Sequence, residues 1–262
     1  MKQTYRHALV TGASSGIGRG LATELAGRGI HVFLIARRRD LLEGLQDELQ
    51  QAGHKATAIP ADVSVTDDWV NKLRTIDREH PLDLVIANAG VGADHAAVEP
   101  YAWEAMRDAL HTNFCGAAAT LTAVLPEMVA RGRGHLVGLG SLASMGPLPL
   151  SAAYCAPKAG LHMLLDCLRL DTTGTGIVVT NVQVGFVATP MLEGVTHPTP
   201  GLLQVEDAAR TIVKGLLDGR EDIVFPGSLA LAARLGGKMP RFIQKAVARK
   251  VRKQIRTPGK TP

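Results

Sequence analysis

The chain has few cysteines, few aromatic residues and no recognisable metal-binding pattern. Its three cysteines, Cys115, Cys155 and Cys167, are an odd number without C-x-x-C spacing, which argues against a disulfide framework or a zinc knuckle and favours a reducing cytoplasm. Nine histidines show neither H-E-x-x-H nor paired Cys/His spacing, so we expect no metal. Aromatic residues make up 4% of the 262 residues.

Long apolar runs are also missing. The first twelve residues, MKQTYRHALVTG, contain no apolar run, and we expect no signal peptide. The longest stretches without Asp, Glu, Lys or Arg, such as 134–157, are interrupted by Gly, Pro, Ser and His. The sequence therefore predicts no membrane-spanning segment.

Acidic residues are absent after Asp222, where ten Lys or Arg residues follow. Residues 1–222 carry a net charge of −5, so the overall +5 belongs to this C-terminal tail. Basic residues recur every three or four positions over 238–256, beside an apolar stripe that includes Phe242 and Ile243. This pattern predicts a helix, for which we consider peripheral contact with anionic lipid at the inner membrane surface, an acidic carrier protein, or docking over the substrate mouth. No aromatic residues are interleaved in a way that would stack bases, and we expect no nucleic acid.

Apolar residues make up 46% of the chain and charged residues 20%, as in ordinary globular proteins. Seven short aliphatic segments alternate with longer segments of helical period, and this alternation predicts a parallel sheet with helices on both faces. The expected strands are 7–11, 30–36, 55–61, 82–88, 135–140, 177–184 and 222–226. We expect one α/β domain over 1–226 and a basic C-terminal extension over 227–262 attached to it.

The first expected strand runs directly into TGASSGIG, residues 11–18. Glycines at such a turn let the backbone approach a pyrophosphate, and the following helix presents free N–H groups to it. The residues expected to bind a dinucleotide here are Gly12, Ser14, Ser15, Gly16, Ile17 and Gly18.

The end of the second strand carries arginines instead of an acidic residue. An Asp or Glu at this point would bind the ribose hydroxyls of NAD, but the sequence reads Ala36-Arg37-Arg38. Guanidinium groups favour a 2′-phosphate, so we expect NADP(H).

Tyr154 and Lys158 lie four residues apart and would share one face of a helix. Reduction of a carbonyl group requires a proton donor at the developing alkoxide, and a tyrosine beside a cation can fill that role. Pro157 lies between them, and Ser151 is the expected N-cap that would keep this proline near the helix start.

These motifs, in this order, resemble the short-chain dehydrogenase/reductase family over residues 7 to about 226. The residues that carry the resemblance are the glycine loop at 11–18, Asp62-Val63, Asn88-Ala89-Gly90, Asn113, Ser141, Tyr154 and Lys158. The resemblance implies a Rossmann-type, doubly wound, seven-stranded parallel sheet and an NADP(H)-dependent oxidoreductase acting on a carbonyl compound or a secondary alcohol. Family members are commonly dimers or tetramers, so it also implies a homo-oligomer.

The resemblance assigns a role to each catalytic candidate. It makes Tyr154 the general acid/base, and Lys158 the cation that lowers the pKa of this tyrosine and holds the nicotinamide ribose. Ser141 would hydrogen-bond the substrate oxygen, and Asn113 would help hold a water-linked proton relay to Lys158.

Further cofactor contacts follow from the resemblance. Asp62 and Val63 would contact the adenine ring, although Asp62 could instead cap a helix starting near Thr66. Asn88, with Ala89 and Gly90, would steady the sheet near the cofactor, or Asn88 could merely close a strand.

After the sixth strand, the resemblance assigns the nicotinamide carboxamide to Gly185, Val187 and Thr189. Val184 stands at the position where the family usually has a proline. Thr189 could also serve as an N-cap before Pro190.

Few fixed charges occur in the segments expected to line a substrate, which follow the fourth and fifth strands and cover 190–204. The apolar candidates there are Leu142, Met145, Phe186, Met191 and Leu192. We therefore expect an uncharged, apolar ketone or acyl-type substrate. A non-catalytic NADP-sensing module and a membrane-surface reductase of lipid-derived ketones remain the alternatives.

Overall fold

A single sheet of seven parallel strands organises the protein in a computed structural model that describes residues 3–92, 103–193 and 198–256. The strands are β1 His7–Thr11, β2 His31–Ala36, β3 Ala56–Pro60, β4 Leu84–Ala87, β5 Gly134–Ser141, β6 Ile177–Val184 and β7 Asp222–Phe225. They pair in the order β3-β2-β1-β4-β5-β6-β7, so the predicted Rossmann-type, doubly wound parallel sheet is confirmed. The order reverses between β1 and β4, and a crevice opens there at the carboxyl ends of the strands.

Helices cover both faces of this sheet. They are α1 Gly16–Ala26, α2 Arg39–Gln51, α3 Thr66–Glu79, α4 Trp103–Leu110, α5 Ala117–Ala123, α6 Leu125–Arg131, α7 Ala152–Asp171, α8 Val205–Leu217, α9 Gly227–Lys238 and α10 Arg241–Arg256. The core accordingly has two halves: α1, α2 and α8 pack on one face, and α3, α5 and α7 on the other. The central strands are aliphatic along nearly their whole length because both faces are covered.

Helix α7 runs unbroken from Ala152 to Asp171 across Pro157. Ser151 occupies the predicted N-cap position, but its hydroxyl donates to the carbonyl of Pro149, 3.2 Å away, and caps no helix N–H. Because Pro157 lies in the second turn, the only intrahelical bond it removes is the one to Ala153. Tyr154 and Lys158 therefore lie on one continuous helix.

The C-terminal extension forms two helices instead of the single helix predicted from Lys238. α9 ends at Lys238, Met239 is extended (φ −61°, ψ 147°), and α10 begins at Arg241. Pro240 causes the break, because a proline disfavours helical geometry at the residue before it. The prediction of one helix over 238–256 is thus wrong at its start, whereas the helix from Arg241 to Arg256 is present.

One run of helix among the described residues, Trp103–Arg131, is long and apolar enough to cross a membrane by length and composition. In its most apolar window, 44% of the residues are buried inside the protein. The run includes α5, whose Leu121 belongs to the core beneath the sheet. Packing against the sheet therefore accounts for the apolar residues of α5.

Candidate active site

The loop between β1 and α1 brings the backbone unusually close to the end of β4. Gly12 has φ +70° and Gly16 has φ +55°, which side chains rarely tolerate. A Cβ atom on Gly18 would lie 2.3 Å from the carbonyl oxygen of Gly12 and 2.4 Å from Nδ2 of Asn88. Ser15, the N-cap of α1, makes no side-chain cap, so the first N–H groups of the helix point to the crevice without a capping side chain.

Asn88 ties the end of β4 to this loop. Its Nδ2 donates to the carbonyl of Thr11, 2.8 Å away. The Thr11 hydroxyl accepts from the backbone N–H groups of Asn88 and Ala89, both at 3.0 Å. Sequence reasoning missed Thr11, although its place at the end of β1, next to the glycine loop, was a usable signal.

Arg38 is held against the serines of the glycine loop. Its Nη2 donates to Oγ of Ser14 at 2.9 Å and to Oγ of Ser15 at 2.6 Å. Arg37 is exposed, and its Nη1 lies 3.8 Å from a carboxylate oxygen of Asp62. One guanidinium and two hydroxyls thus converge at the end of β2, an arrangement that can hold a phosphate.

Asp62 folds back on its own loop. Its Oδ1 accepts from the backbone N–H of Ser64 at 2.9 Å and from the Ser64 hydroxyl at 2.7 Å. Burial raises the pKa of Asp62, but these hydrogen bonds and the charge of Arg37 outweigh it, and the pKa lies below its ordinary value. Helix α3 has Val65 at its N-cap, so the alternative in which Asp62 caps this helix is wrong.

Ser141, Tyr154 and Lys158 meet where β5 and α7 pack together. Ser141 is near enough to the Tyr154 hydroxyl to affect its pKa, and Oγ of Ser141 accepts from the N–H of Ala143 at 3.2 Å. Burial raises the pKa of Tyr154, and the Ser141 hydroxyl opposes that rise. The half-buried phenol is therefore protonated at neutral pH.

Lys158 is 6% exposed and donates from Nζ to the carbonyl of Leu139, 2.7 Å away. Its Nζ lies 5.9 Å from the centroid of the Tyr154 ring. Burial lowers the pKa of Lys158 to about 8. Leu139 supplies the one acceptor that the described residues give this ammonium, so the other N–H groups can serve a ligand. The role of the Leu139 carbonyl was not predicted, because every residue has a backbone carbonyl and the residue type does not show which one accepts a bond.

Asn113 lies in a π-helical turn, His111–Gly116, between α4 and α5. Its Oδ1 accepts from the N–H of Val91 at 2.7 Å, and its Nδ2 donates to the carbonyl of Val91 at 2.9 Å. The buried side chain therefore fixes the chain just after β4. Both of its polar atoms are occupied in this way, and neither contacts Lys158.

Of the three residues predicted after β6, only Thr189 lies at the candidate site. Thr189 lies beside the glycine loop, because a Cβ atom on Gly16 would be 3.0 Å from its methyl carbon. Thr189 is at the N-cap of a short 3-10 turn, Pro190–Leu192, without making a side-chain cap. Val187 instead pairs with Leu203 in an isolated bridge, and Gly185 packs against Leu229.

Most of these groups surround one cavity of about 350 Å³. The predicted residues that line it are Gly12, Ser14, Ser15, Gly16, Ile17, Gly18, Arg37, Arg38, Asp62, Val63, Asn88, Ala89, Gly90, Tyr154, Lys158 and Thr189. Four predicted residues, Asn113, Ser141, Gly185 and Val187, lie outside its lining. Lining residues that were not predicted to bind the cofactor include Thr112, Leu139 and Gly140.

The substrate-lining candidates separate in space. Met191 lines this cavity, whereas Leu142 lines a second one. Residues 93–102 and 194–197, which belong to the segments expected to line a substrate, lie outside the described residues. Among the described residues, no group of three His, Cys, Asp or Glu side chains lies close enough to hold a metal ion.

Comparison with known proteins identifies the fold family. The family model for short chain dehydrogenases matches residues 6–199. This chain belongs to the short chain dehydrogenase family. An oxidoreductase of Myxococcus xanthus is 44% identical to this short-chain dehydrogenase. The match covers 96% of this chain and 99% of the relative.

Two other relatives carry more specific names. A fatty acyl-CoA reductase of Acinetobacter baylyi is 29% identical over 80% of this chain and 72% of the relative. The structure of a short-chain dehydrogenase from Sphingobium yanoikuyae in complex with NADPH is 25% identical, with a TM-score of 0.78 over 98% of both chains. This protein is therefore an oxidoreductase of the short-chain dehydrogenase type.

Proposed function

We propose that this short-chain dehydrogenase uses NADP(H) to interconvert a carbonyl compound and a secondary alcohol, and that it reduces an apolar ketone or acyl-type substrate. The observation that carries the proposal is the placement of Tyr154 beside buried Lys158, whose Nζ lies 5.9 Å from the centroid of the Tyr154 ring, with Ser141 near the phenol. Tyr154 and Lys158 line the same cavity as the glycine loop, so a dinucleotide and a proton donor can meet there.

The glycine loop fits a dinucleotide. Side chains at Gly12 and Gly18 would fill the space against Asn88 and Ala89, so the close backbone approach depends on glycine. Arg38, Ser14 and Ser15 form a cluster suited to a 2′-phosphate, which favours NADP(H) over NAD(H). The relative from Sphingobium yanoikuyae was solved in complex with NADPH, which supports the same cofactor here.

The remaining predicted cofactor contacts belong to the same proposal. Asp62 and Val63 would flank the adenine, and Asn88, Ala89 and Gly90 would hold the wall behind the cofactor. Thr189 would meet the carboxamide. Gly185 and Val187 would act less directly, by fixing the strand-like segment that carries Thr189.

When bound, NADPH supplies the hydride for reduction. Tyr154 donates its phenolic proton to the substrate oxygen, and Ser141 donates a hydrogen bond to the same atom. The pKa of Tyr154, raised by burial, keeps the proton available at neutral pH. Lys158, with a pKa of about 8, is mostly charged at neutral pH and stabilises the phenolate left behind.

Asn113 acts as a positioning residue in this proposal. Its two bonds to Val91 hold the segment that follows Gly90, and Gly90 lines the cavity next to Lys158. The water-linked relay predicted from Asn113 to Lys158 stays a prediction.

An apolar substrate is supported by the open side of the cavity. Met191 is half exposed there and lies beside Gly92. The fatty acyl-CoA reductase among the relatives acts on an acyl compound by its name, which favours the same class here.

Ketone-dependent oxidation of NADPH tests the proposal. The purified chain is assayed with ketones graded by size and chain length, with NADPH and NADH in parallel. We expect turnover with medium-chain ketones and a preference for NADPH. Tight NADPH binding without turnover of any ketone would instead support a non-catalytic NADP-sensing module.

A second candidate role, attachment to an anionic membrane surface, is favoured by the outer face of α9 and α10. Phe242 is 73% exposed, Leu231 60% and Leu235 58%, among basic side chains that include Arg234 and Arg241. Flotation with vesicles containing phosphatidylserine should carry the full chain but not a chain truncated after Phe225. Equal behaviour of the two chains would remove the membrane role.

The cellular location and the oligomeric state remain predictions. A cytoplasmic enzyme is expected from its cysteine content. Exposed Met163 and Leu170 on α7 support a homo-oligomer, which the mass of the purified chain in solution checks.

A further inference from the structure

A second cavity, of about 370 Å³, lies between the loop that follows β5 and the helices of the C-terminal extension. We call it the C-terminal groove. It is lined by Leu142, Gly146, Pro147, Leu148, Pro149, Ala232, Ala233, Gly236, Gly237, Met239, Arg241, Gln244, Lys245, Val247 and Ala248. Its volume is in the range of small-molecule sites, about 300–1,000 Å³, and most of its lining is apolar.

The groove is built from closely packed backbone. A Cβ atom on Gly146 would lie 2.6 Å from Cα of Gly237, and one on Gly237 would lie 2.3 Å from the carbonyl oxygen of Met145. Gln244 joins the two C-terminal helices, since its Nε2 donates to the carbonyl of Met239 at 3.0 Å. The extension is therefore seated on the catalytic domain, and the groove is a defined space between them.

The C-terminal groove and the cavity of the candidate active site are lined by residues that lie close together in the chain at the end of β5. Leu139 and Gly140 line the first cavity, and Leu142 lines the groove. Ser141, which is near the hydroxyl of Tyr154, lies between them in the chain. A substrate held with its carbonyl at Ser141 can extend an apolar arm into the groove.

The groove also carries two cations without local anions. Arg241 and Lys245 lie one turn apart on α10 and both line it. No acidic residue follows Asp222 in the sequence, and the ion pairs of the described residues all lie at or before this position. Two unpaired cations beside an apolar floor suit an alkyl chain that ends in a carboxylate.

We propose that the C-terminal groove binds the alkyl chain of a carboxylate-terminated substrate, with Arg241 and Lys245 holding the carboxylate. The inference rests on the proposed carbonyl reduction for its link to Ser141, and it names the substrate class as medium-chain oxo acids. The unassigned basic extension thereby gains a role in specificity.

Equilibrium binding of dodecanoate to the full chain tests the groove without catalysis. Displacement of a fluorescent fatty acid is measured for wild type and for the double variant Arg241→Ala with Lys245→Ala. We expect dodecanoate to bind the variant about tenfold more weakly, and methyl dodecanoate to bind both proteins equally.

The matched control is Arg234→Ala with Arg249→Ala, which removes two cations of the same extension that do not line the groove. This pair should bind dodecanoate as wild type does. Equal weakening in both double variants, or no weakening in either, would overturn the proposal.

Filling the groove gives an independent test. Ala248→Trp places a large side chain into it, whereas Ala246→Trp lies on the same helix outside its lining. We expect only Ala248→Trp to abolish dodecanoate binding, with melting temperatures confirming that both variants are folded. Unchanged binding in folded Ala248→Trp would contradict the site, and an unfolded variant leaves the decision to the charge variants.

Kinetics then link the groove to the reaction. The substrate is a medium-chain oxo acid whose ketone lies near its methyl end, compared with its methyl ester. Arg241→Ala with Lys245→Ala should raise KM for the acid about tenfold, with kcat and the KM of the ester unchanged. If wild type reduces no ketone, the proposed function fails while the binding tests still decide the groove. An equal change in KM for the acid and the ester would overturn the role of the two cations.

Discussion

Pro157 lies between the two residues whose chemistry matters most, and the helix tolerates it. Tyr154 and Lys158 lie on one continuous α7 with the spacing of four residues that predicts a shared helix face. The sequence did not indicate that Lys158 bonds the carbonyl of Leu139. Such a bond depends on how closely a helix approaches a strand, which tertiary packing decides.

Two other sets of hydrogen bonds at the site could not be predicted from the sequence, because they also depend on tertiary packing. Thr11 accepts hydrogen bonds from the end of β4, and the backbone of Val91 satisfies Asn113. Each bond joins segments more than twenty residues apart. The residue types expected at the site could be listed from motifs, but their partners could not.

Arg38 is expected to select NADPH over NADH. The variant Arg38→Ser removes the guanidinium held by Ser14 and Ser15. A hydrogen-bonded charge pair of this kind contributes about 1.5–3 kcal/mol, so kcat/KM for NADPH should fall by about 10- to 100-fold. The value for NADH should stay within about threefold, measured by steady-state kinetics with one ketone.

Arg39→Ser is the matched control, because Arg39 pairs with Glu43 on the exposed side of α2. It should leave the NADPH-to-NADH ratio unchanged. A similar loss in both variants would mean that general positive charge, and not the cluster at Arg38, attracts the cofactor.

At the scale of elements, alternation of aliphatic and helical segments was sufficient to place all seven strands within two residues at each end. The same alternation did not predict the interruptions within helices, where a single proline or a widened helical turn changes the backbone. The helical spacing of basic residues over 238–256 continues across Pro240, but the helix itself is interrupted there. Two helices, α9 and α10, result. The π-helical turn at His111–Gly116 was also not predictable, since its widened geometry leaves no periodic signal.

The pairing of β5 with β6 buries His135, which should make stability depend on acid. His135 is 1% exposed and bonds the hydroxyls of Tyr5 and Thr180, each at 2.7 Å. Burial lowers its pKa from 6.5 to about 3. Between pH 6.5 and about 3, His135 is protonated in the unfolded chain but remains neutral in the folded protein. Its contribution to the free energy of unfolding is therefore fully present above pH 6.5 and is lost as the pH falls towards 3.

Urea denaturation at several pH values checks this prediction. His135→Gln should flatten the acid dependence by up to roughly 1.4 kcal/mol for each pH unit between the two pKa values. His54→Gln, a histidine outside the core, serves as the control and should follow wild type. An unchanged slope in His135→Gln would show that other groups cause the acid loss.

At the scale of the whole molecule, the strand order explains why distant motifs meet. The glycine loop and Asn88 follow β1 and β4, and Ser141 is the last residue of β5; these three strands are neighbours in the sheet and end at the same edge. The alternation of aliphatic and helical segments predicted a parallel sheet, and the family resemblance implied its doubly wound, Rossmann-type form, but the strand order itself was not predicted. The C-terminal groove could not be predicted from the sequence, because it depends on where α9 and α10 pack against the loop that follows β5.

The central claim is that Tyr154 donates the proton in an NADPH-dependent reduction. The measurement that tests it most directly is ketone-dependent NADPH oxidation by Tyr154→Phe, beside NADPH binding by the same variant. We expect turnover to fall about 10²- to 10⁴-fold, as for loss of a general acid, while the Kd for NADPH stays within about twofold of wild type. Turnover retained near the wild-type rate, with NADPH bound equally well, would contradict the account.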